Sequence, residues 1–191
     1  MSADKEAKER SEEKRQRRRR MNILIFSDSH GRGSNMLEAL SRQIKKPDAV
    51  VFLGDGLRDL SYCDFGEIPI LAVSGNCDSY TFYGSGNADE EIVMTLGGKR
   101  IMMTHGDRYA VKNGLGRLVA AADAKGVDIV LFGHTHTPTS LYLDSEENDF
   151  GIKLKKPMYI FNPGSVGGYG ATFGCLDIGK RGEVVLSHGE L

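Results

Sequence analysis

MNILIFSDSHG, residues 21–31, is the stretch from which the organisation of this chain can be deduced. Its apolar part, residues 23–26, has the length of a buried β-strand and stops abruptly before Asp28 and His30. A carboxylate and an imidazole therefore follow the end of a predicted strand. Both groups are ligands for divalent metal ions.

Four later segments repeat this arrangement, an apolar run that breaks at Asp, Asn or His beside a Gly. In open α/β sheets, the loops at the carboxyl ends of the strands converge on one site. We therefore expect the polar residues that end these runs to lie close together. They are Asp28, His30, Asp55, Asn76, His105, His134 and His136. The set contains four of the five histidines, and structural capping gives no reason to choose imidazole so repeatedly.

The apolar runs are continuous rather than alternating, which predicts strands that are covered on both faces. The predicted strands are residues 23–26, 49–53, 68–73, 91–96, 100–103, 127–132, 158–161, 173–178 and 184–187. Helices are predicted at residues 34–45, with Ser34 as N-cap, and at residues 113–125, and residues 140–154 are expected to form a hairpin or an excursion. The sum is a layered α/β domain with strands in the middle, helices outside and antiparallel hairpins mixed in.

The first twenty residues differ in composition from the rest of the chain. They contain nine Lys or Arg, five Asp or Glu, and no aliphatic side chain larger than Ala apart from Met1. Such a segment cannot bury an apolar face, so we expect residues 1–20 to be a disordered charged extension and residues 21–191 to form a single domain. The four arginines at 17–20 leave contact with nucleic acid open.

Composition also limits the cellular setting. The sequence has no apolar run near the roughly 20 residues that span a membrane and no apolar segment of a secretory signal after its N-terminal charges. Cys63, Cys77 and Cys175 are odd in number and lack CxxC spacing. We expect a soluble cytoplasmic protein without disulfides or a membrane partner. The oligomeric state, a homo-oligomer included, stays open.

The number and type of the candidate ligands point to two metal ions. Seven ligands exceed the four that close a tetrahedral zinc site, and no pair of cysteines is available to form one. Mixed carboxylate, amide and imidazole donors suit manganese, iron, zinc or nickel better than calcium. Two such ions can share a hydroxide and a carboxylate and clamp a phosphoryl group during in-line displacement. The arrangement therefore indicates hydrolysis of a phosphate ester.

These motifs also resemble a known family. Their order is that of the calcineurin-like metallophosphoesterases, with DSH at 28–30, GD at 54–55, GNCD at 75–78, THG at 104–106 and GHTH at 133–136. NPGS at 162–165 is similar to a mark of the small bacterial and archaeal phosphodiesterase branch, and we expect it to shape the backbone near the site. The resemblance implies an α/β four-layer fold, in which a β-sandwich is flanked by α-helices.

The resemblance further implies a ligand set for each of two divalent transition-metal ions, for which manganese is the first choice. One ion would take Asp28, His30, Asp55 and His136, and the other would take Asp55, Asn76, His105 and His134, with Asp55 bridging. Catalytic roles are assigned to Asn76, Cys77, Asp78 and His105. In many relatives a His stands at the place of Cys77. A thiol is a poor proton donor at neutral pH, so the general acid stays unassigned.

Other residues beside the motifs have two interpretations each. Asp78 is expected to orient ligands or water, with capping as the alternative. Asp107 lies where relatives often carry a second His, and it either orients His105 or is only a loop residue. Arg32 and Arg108 could supply an extra cation to a substrate dianion, but a surface salt bridge is the favoured interpretation.

Formal charge favours one class of substrate. Two divalent ions, two aspartates and one bridging hydroxide leave a single net positive charge, which matches a monoanionic phosphodiester. The expected function is hydrolysis of a small or nucleotide-like phosphodiester by attack of a metal-bridging hydroxide. The alternatives are a phosphomonoesterase or nuclease of the same fold, and a non-catalytic scaffold similar to the smallest core subunit of eukaryotic retromer.

Overall fold

The computed structural model of the protein describes residues 20–78, 88–146 and 148–191. The predicted disordered extension at residues 1–20 lies outside the described residues except for Arg20, whose guanidinium donates a hydrogen bond to Asp177 at 3.2 Å. Glu147, in the predicted excursion, also lies outside them. Within the described ranges, no helix combines the length and the apolar character needed to cross a membrane.

Ten strands and three α-helices organise the described residues. The strands are β1 (Met21–Phe26), β2 (Ala49–Phe52), β3 (Ile70–Ala72), β4 (Glu91–Leu96), β5 (Lys99–Thr104), β6 (Ile129–Leu131), β7 (Thr139–Leu143), β8 (Met158–Asn162), β9 (Thr172–Ile178) and β10 (Val184–Glu190). The helices are α1 (Gly33–Ser41), α2 (Leu57–Leu60) and α3 (Gly116–Lys125). The nine predicted strands and the two hairpins at residues 91–103 and 173–187 are present, within a few residues of the predicted bounds.

The strands form two five-stranded mixed sheets. The first has the order β10-β9-β1-β2-β3, and the second has the order β4-β5-β6-β8-β7. Strands β1, β2 and β3 are parallel to one another, as are β5, β6 and β8, while the hairpins β4–β5 and β9–β10 are antiparallel. The carboxyl ends of the parallel strands in each sheet therefore lie at one edge.

Alternating side chains of each strand pack in two directions. Ile23 and Ile25 of β1 face the other sheet, where Leu131 of β6 belongs to the same buried cluster. Leu24 and Phe26 point the opposite way and pack against the layer of α1 and α2. The outer face of the second sheet is covered by α3 in the same manner. The architecture is thus an α/β/β/α sandwich, which confirms the four-layer fold that the resemblance implied.

Two predicted helices differ from the structure at their ends. Helix α1 begins at Gly33, and the Ser34 side chain does not cap it, since Arg32 occupies the cap position without a side-chain hydrogen bond. It ends at Ser41 rather than at residue 45, and Ile44 is fully exposed, so no apolar contact stabilises another turn. Helix α3 begins at Gly116 rather than at residue 113, because Gly114 has a φ of 119° that interrupts the helix.

The segment at residues 140–154 is an excursion rather than a self-contained hairpin. Its first part, β7, pairs antiparallel with β8, so that Leu143 lies opposite Met158. The described residues between the two strands form bends, one turn and irregular structure, and the Leu154 amide donates to the Ser145 carbonyl at 3.0 Å. Leu154 itself is buried against the outer face of the second sheet.

Candidate metal centre

The first donor group consists of Asp28 and His30, from the loop after β1, and His136, from the loop after β6. Their donor atoms all lie within 4.8 Å of one another. Asp28 Oδ1 is 3.0 Å from His136 Nε2 and 3.7 Å from His30 Nε2, and the two imidazole nitrogens are 3.3 Å apart. Asp28 is completely buried, whereas the side chains of His30 and His136 are 38% and 46% exposed. The group is therefore open to solvent on its histidine side.

The second donor group consists of Asp55, Asn76, His105 and His134, from the loops after β2, β3, β5 and β6. His105 Nε2 lies at its centre, 3.4 Å from Asp55 Oδ2, 3.2 Å from Asn76 Oδ1 and 3.0 Å from His134 Nδ1. His105 and Asp55 are buried, with 0% and 3% of their side chains exposed. This group is deeper in the protein than the first.

Asp55 connects the two donor groups. Its carboxylate lies within 4.8 Å of the donor atoms of His105 and His134, and also within 4.8 Å of those of His30 and Cys77. One carboxylate oxygen, Oδ1, accepts a hydrogen bond from the Cys77 amide at 2.7 Å, while the other faces His105. A carboxylate between two sets of donors can contribute to both.

The spacing of these atoms fits divalent metal ions. Atoms bonded at about 2.1 Å to the same ion lie roughly 3.0–3.5 Å from one another. The distances within the first donor group, 3.0, 3.3 and 3.7 Å, are close to this range. Asp28 Oδ1 is also a buried oxygen that has no hydrogen bond within the described part of the chain. Such an atom is costly unless a cation or donor compensates it, and this oxygen faces the two imidazoles.

Five candidate ligands have a left-handed backbone, which side chains other than Gly rarely adopt. The φ angles are 55° for Asp28, 44° for His30, 59° for Asp55, 66° for His134 and 60° for His136. Among the described non-glycine residues, Ala110 alone shares this property. Sparsely populated backbone conformations cluster at functional sites, where the surrounding structure holds them.

The loop that follows β8 holds the backbone of Asp28. Ser165 Oγ donates to the Asp28 carbonyl at 2.8 Å, and the Gly167 amide donates to the same oxygen at 3.1 Å. The Val166 amide donates to the Ser27 carbonyl at 3.0 Å. The predicted function of residues 162–165, shaping the backbone near the site, agrees with these contacts.

Asn162 holds the backbone of the loop that carries His134 and His136. It is completely buried, and its Nδ2 donates to the Gly133 carbonyl at 2.9 Å and to Thr135 Oγ1 at 3.0 Å. The loop that carries His134 and His136 is therefore fixed from the end of β8.

Close contacts require glycine at position 133. A Cβ atom added to Gly133 would lie 1.9 Å from Ser27 Oγ and 3.0 Å from Asp28 Oδ2. Asp28 Oδ2 also accepts a hydrogen bond from the His134 amide at 3.0 Å. The backbone of the loop after β6 thus packs directly against side chains of the loop after β1, which leaves no space for a residue larger than glycine at position 133.

Asp78 binds backbone amides rather than facing the donor groups. Its two oxygens accept hydrogen bonds from the amides of Asp55, Gly56, Leu57 and Gly75 at 2.8–2.9 Å. The carboxylate therefore ties the loop after β3 to the loop that carries Asp55 and to the start of α2. Both interpretations of Asp78 apply: it caps these amides, and in doing so it positions Asp55.

Asp107 does not orient His105. The second ring nitrogen of His105, Nδ1, lies 2.7 Å from the Leu53 carbonyl, at the end of β2. A backbone carbonyl at this distance selects the tautomer in which Nε2 is free to face the donor group. The orienting role suggested for Asp107 is therefore filled by Leu53. Nothing in the sequence pointed to a main-chain partner.

The charges of the second donor group are coupled. Burial alone would raise the pKa of the Asp55 carboxyl, but contact with His105 and the Cys77 amide holds that pKa well below its ordinary value. Burial lowers the pKa of His105, and contact with Asp55 outweighs it, so that the net pKa is raised. Burial and the neighbouring His105 lower the pKa of His134. Because a metal ion binds neutral imidazole, metal binding competes with the protonation of His105 that contact with Asp55 favours.

The thiol of Cys77 is unsuited to protonate a leaving group. Its contact with Asp55, together with burial, raises the pKa of the thiol to about 11. The amide of Cys77, which donates to Asp55, is the group that the local geometry uses. The assignment of Cys77 as a catalytic residue therefore has no support from its protonation chemistry.

The two arginines beside the motifs, Arg108 and Arg32, differ in their ion pairs. Arg108 forms an exposed ion pair with Glu90 at 2.5 Å, which agrees with the favoured surface salt bridge. Arg32 is exposed, and within the described ranges it has no ion pair. His188, the histidine outside the motifs, stacks on Phe161 and contacts the Asn162 carbonyl at 2.8 Å, away from the donor atoms.

The structure brings all seven predicted ligands together, and it adds residues that sequence reasoning missed. The missed residues that hold the ligands, or the backbone beside them, through main-chain atoms are Leu53, Val166 and Gly167. Ser27 was also missed, and its hydroxyl donates a hydrogen bond to Asp28 Oδ2. The glycines beside each motif were the available signal, since they mark places where backbone approaches closely.

The chain is similar in sequence to known proteins. A family model described as the calcineurin-like phosphoesterase superfamily domain matches residues 21–181. The chain is 29% identical over 146 residues to the probable metallophosphoesterase YsnB of Bacillus subtilis (strain 168), an alignment that covers 76% of this chain and 75% of YsnB.

Two solved structures illustrate the fold. Vacuolar Protein Sorting 29 from Cryptosporidium parvum superposes with a TM-score of 0.64 at 19% identity, over 90% of this chain and 98% of that protein. An archaeal phosphodiesterase superposes with a TM-score of 0.59 at 24% identity, over 90% of this chain and 100% of that protein. At these identities the likeness shows a shared fold.

Proposed function

This chain belongs to the calcineurin-like phosphoesterase superfamily and is a metal-dependent phosphoesterase, and from that premise we propose that it hydrolyses small or nucleotide-like phosphodiesters with two divalent metal ions. The observation that carries the proposal is the pair of donor groups that share Asp55. A solved phosphodiesterase of archaeal origin has the same fold.

We assign each donor group to one ion. Asp28, His30 and His136 would hold the first ion, Asn76, His105 and His134 the second, and Asp55 would contribute to both. The ions, when bound, supply a water-derived nucleophile and neutralise the phosphoryl oxygens. The mixture of imidazole, carboxylate and amide donors favours manganese, with iron, zinc and nickel as alternatives.

The residues of the chain contribute binding and orientation. Asp28 and Asp55 provide the negative charge that holds cations, and their burial keeps competing water away from one side of the centre. The exposed edges of His30 and His136 leave an approach for substrate. Two divalent ions against two carboxylates leave the site positive, which suits a phosphodiester that carries one negative charge.

The proposal is tested by removing single ligands. We expect Asp55→Asn and His136→Ala to lower kcat/KM for bis(p-nitrophenyl) phosphate by about 100-fold or more, because each variant loses a group that holds an ion. Metal content after dialysis against manganese, measured by mass spectrometry, should fall below two ions per chain in the same variants. Circular dichroism would establish that the fold is retained.

His188→Ala is the matched control. His188 is an exposed histidine on β10 whose Nε2 contacts the main-chain carbonyl of Asn162, and it contacts none of the donor atoms. Its metal content and turnover should equal those of the wild type. Turnover of His136→Ala at the wild-type rate in metal-defined buffer would contradict the proposal.

The same assays separate the alternatives. A scaffold similar to Vacuolar Protein Sorting 29 would bind metal or not, but would hydrolyse neither monoester nor diester. A phosphomonoesterase or nuclease would prefer p-nitrophenyl phosphate or single-stranded nucleic acid over the diester. Protein lacking residues 1–20 tests the role of the basic extension. If this protein loses cleavage of nucleic acid but keeps cleavage of the small esters, the extension takes part in nucleic-acid cleavage.

A further inference from the structure

A small cleft opens beside the second donor group. It has a volume of about 90 Å³, and its lining includes Asn76, Asp78, Glu90, Asp107 and Arg108. Asn76 belongs to both the cleft and the donor group, since its Oδ1 is 3.2 Å from His105 Nε2. A chemical group in the cleft would therefore sit next to a phosphoryl group held at the metal centre.

The acidic side chains of this cleft differ in whether they already have hydrogen-bond or ion-pair partners. Asp78 is engaged by four backbone amides. Glu90 is paired with Arg108 at 2.5 Å. Asp107, which is half-buried, has no side-chain hydrogen bond or ion pair in the part of the chain that the structure describes. Among the described residues of the cleft, Asp107 is therefore the carboxylate without a hydrogen bond or an ion pair.

We infer that Asp107 is a specificity-determining residue, which selects phosphodiesters whose ester substituent in this cleft carries an ammonium group. The inference rests on the proposed diesterase function and names the substrate class for it. A primary ammonium offers three donors to a carboxylate, and the charge-assisted hydrogen bond is stronger than a neutral one. A carboxylate or a second phosphate in the same place would be repelled.

The size of the cleft limits the substituent. A volume of about 90 Å³ accommodates a two-carbon arm with a terminal ammonium. Asp107 lies two residues after His105, at the start of the 3-10 turn that follows β5, and it lines the cleft together with Asn76 of the second donor group. The selection therefore acts on a short aminoalcohol arm.

A charge series with one leaving group tests the inference. The substrates are the 2-aminoethyl, propyl and carboxymethyl esters of p-nitrophenyl phosphate, which have similar length and charges of plus one, zero and minus one on the arm. The wild type should turn over the 2-aminoethyl ester with the highest kcat/KM and the carboxymethyl ester with the lowest. Asp107→Asn keeps the shape of the side chain and should reduce the ratio of 2-aminoethyl to propyl kcat/KM about three- to fivefold.

Two further variants test the direction of the change in the ratio of 2-aminoethyl to propyl kcat/KM and provide a control. Arg108→Gln removes the partner of Glu90 and exposes a second carboxylate to the cleft, so the same ratio should rise. Glu67→Gln removes an exposed carboxylate before β3, at the opposite end of that strand from Asn76, and should leave the ratio at the wild-type value.

The outcomes separate this inference from the function on which it rests. If the wild type hydrolyses the propyl ester but shows no preference for the 2-aminoethyl ester, or if Asp107→Asn keeps the wild-type ratio, the selection is wrong and the diesterase function stands. If the wild type hydrolyses none of the three esters while its metal content is complete, both are wrong.

Discussion

Five of the proposed ligands combine a metal-binding side chain with a backbone conformation that costs free energy. A left-handed residue other than Gly is less stable by about 1–2 kcal/mol than the same residue in an ordinary conformation. Asp28 and His134 adopt it with φ angles of 55° and 66°. Their backbones are held by neighbouring loops, so the cost is offset by contacts that exist only in the folded chain. Each side chain is thereby aimed at its donor group before any ion binds.

Cys77 provides a prediction at this scale. Because contact with Asp55 raises the pKa of its thiol to about 11, almost none of it is thiolate at pH 8. In metal-free protein, iodoacetamide should label the exposed Cys77 about tenfold or more slowly than a short cysteine peptide. Peptide mapping by mass spectrometry measures the rate at this position.

The sign of the effect is set by the negative charge of Asp55, which disfavours a second negative charge beside it. Asp55→Asn removes that charge and should therefore lower the pKa of Cys77 and accelerate its labelling. Labelling of the wild type at the rate of the reference peptide would show that Asp55 does not control the thiol.

At the scale of secondary-structure elements, the site is a set of strand ends tied together by side chains from other strand ends. The loop after β3 holds the loop after β2 through Asp78, and the end of β8 holds the loops after β1 and β6 through Ser165 and Asn162. Helix α2 has four residues and depends on Asp78 for an acceptor near its start. The strands supply position, and these cross-contacts supply orientation.

Asp78→Ala tests this interpretation. The variant leaves four backbone amides without their acceptor, and we expect the free energy of unfolding to fall by about 2 kcal/mol or more. Manganese affinity should fall as well, since Asp55 loses its support. Urea denaturation and isothermal titration calorimetry measure the two effects.

Asp64→Ala is the matched comparison for Asp78→Ala. Asp64 is an exposed aspartate that accepts one amide hydrogen bond, from Gly66 at 2.8 Å. Its loss should change the free energy of unfolding by less than about 1 kcal/mol and leave manganese affinity unchanged. Equal effects of the two substitutions would contradict a special role for Asp78.

At the scale of the whole molecule, two sheets packed face to face create the edge at which the loops meet. The buried cluster between them contains Ile23 and Ile25 from the first sheet and Ile129 and Leu131 from the second. Asp28 and His30 follow one of these strands, and His134 and His136 follow another. The first donor group therefore spans both sheets, and it exists only when the sheets are packed together.

Leu131→Ala should weaken this packing. Leu131 is completely buried between the sheets, so its truncation should lower the free energy of unfolding by about 2–5 kcal/mol, measured by urea denaturation. Val185→Ala, at a β10 position that is 58% exposed, should change it by less than about 0.5 kcal/mol. A loss below 1 kcal/mol for Leu131→Ala would indicate that the sheets are held mainly by other contacts.

The sequence by itself determined the strands and the positions of the candidate ligands. Both are local properties: a run such as residues 49–53 needs burial on two faces, and the Gly-Asp-Gly that follows it marks a turn with a carboxylate. The four-layer arrangement came from the resemblance of the motifs, because hydrophobic periodicity does not specify which strands pair or that they divide into two sheets.

Tertiary structure alone decided how the ligands are held and which charges remain available. Leu53 orients His105 across 52 positions of sequence, and Ser165 holds Asp28 across 137. Among the described residues, the pairing of Glu90 with Arg108 and the binding of Asp78 to amides leave Asp107 as the carboxylate of the cleft without a partner. The physical reason is that such contacts depend on distance in space, and a carbonyl or an amide, which every residue but proline offers in full, carries no mark in the sequence.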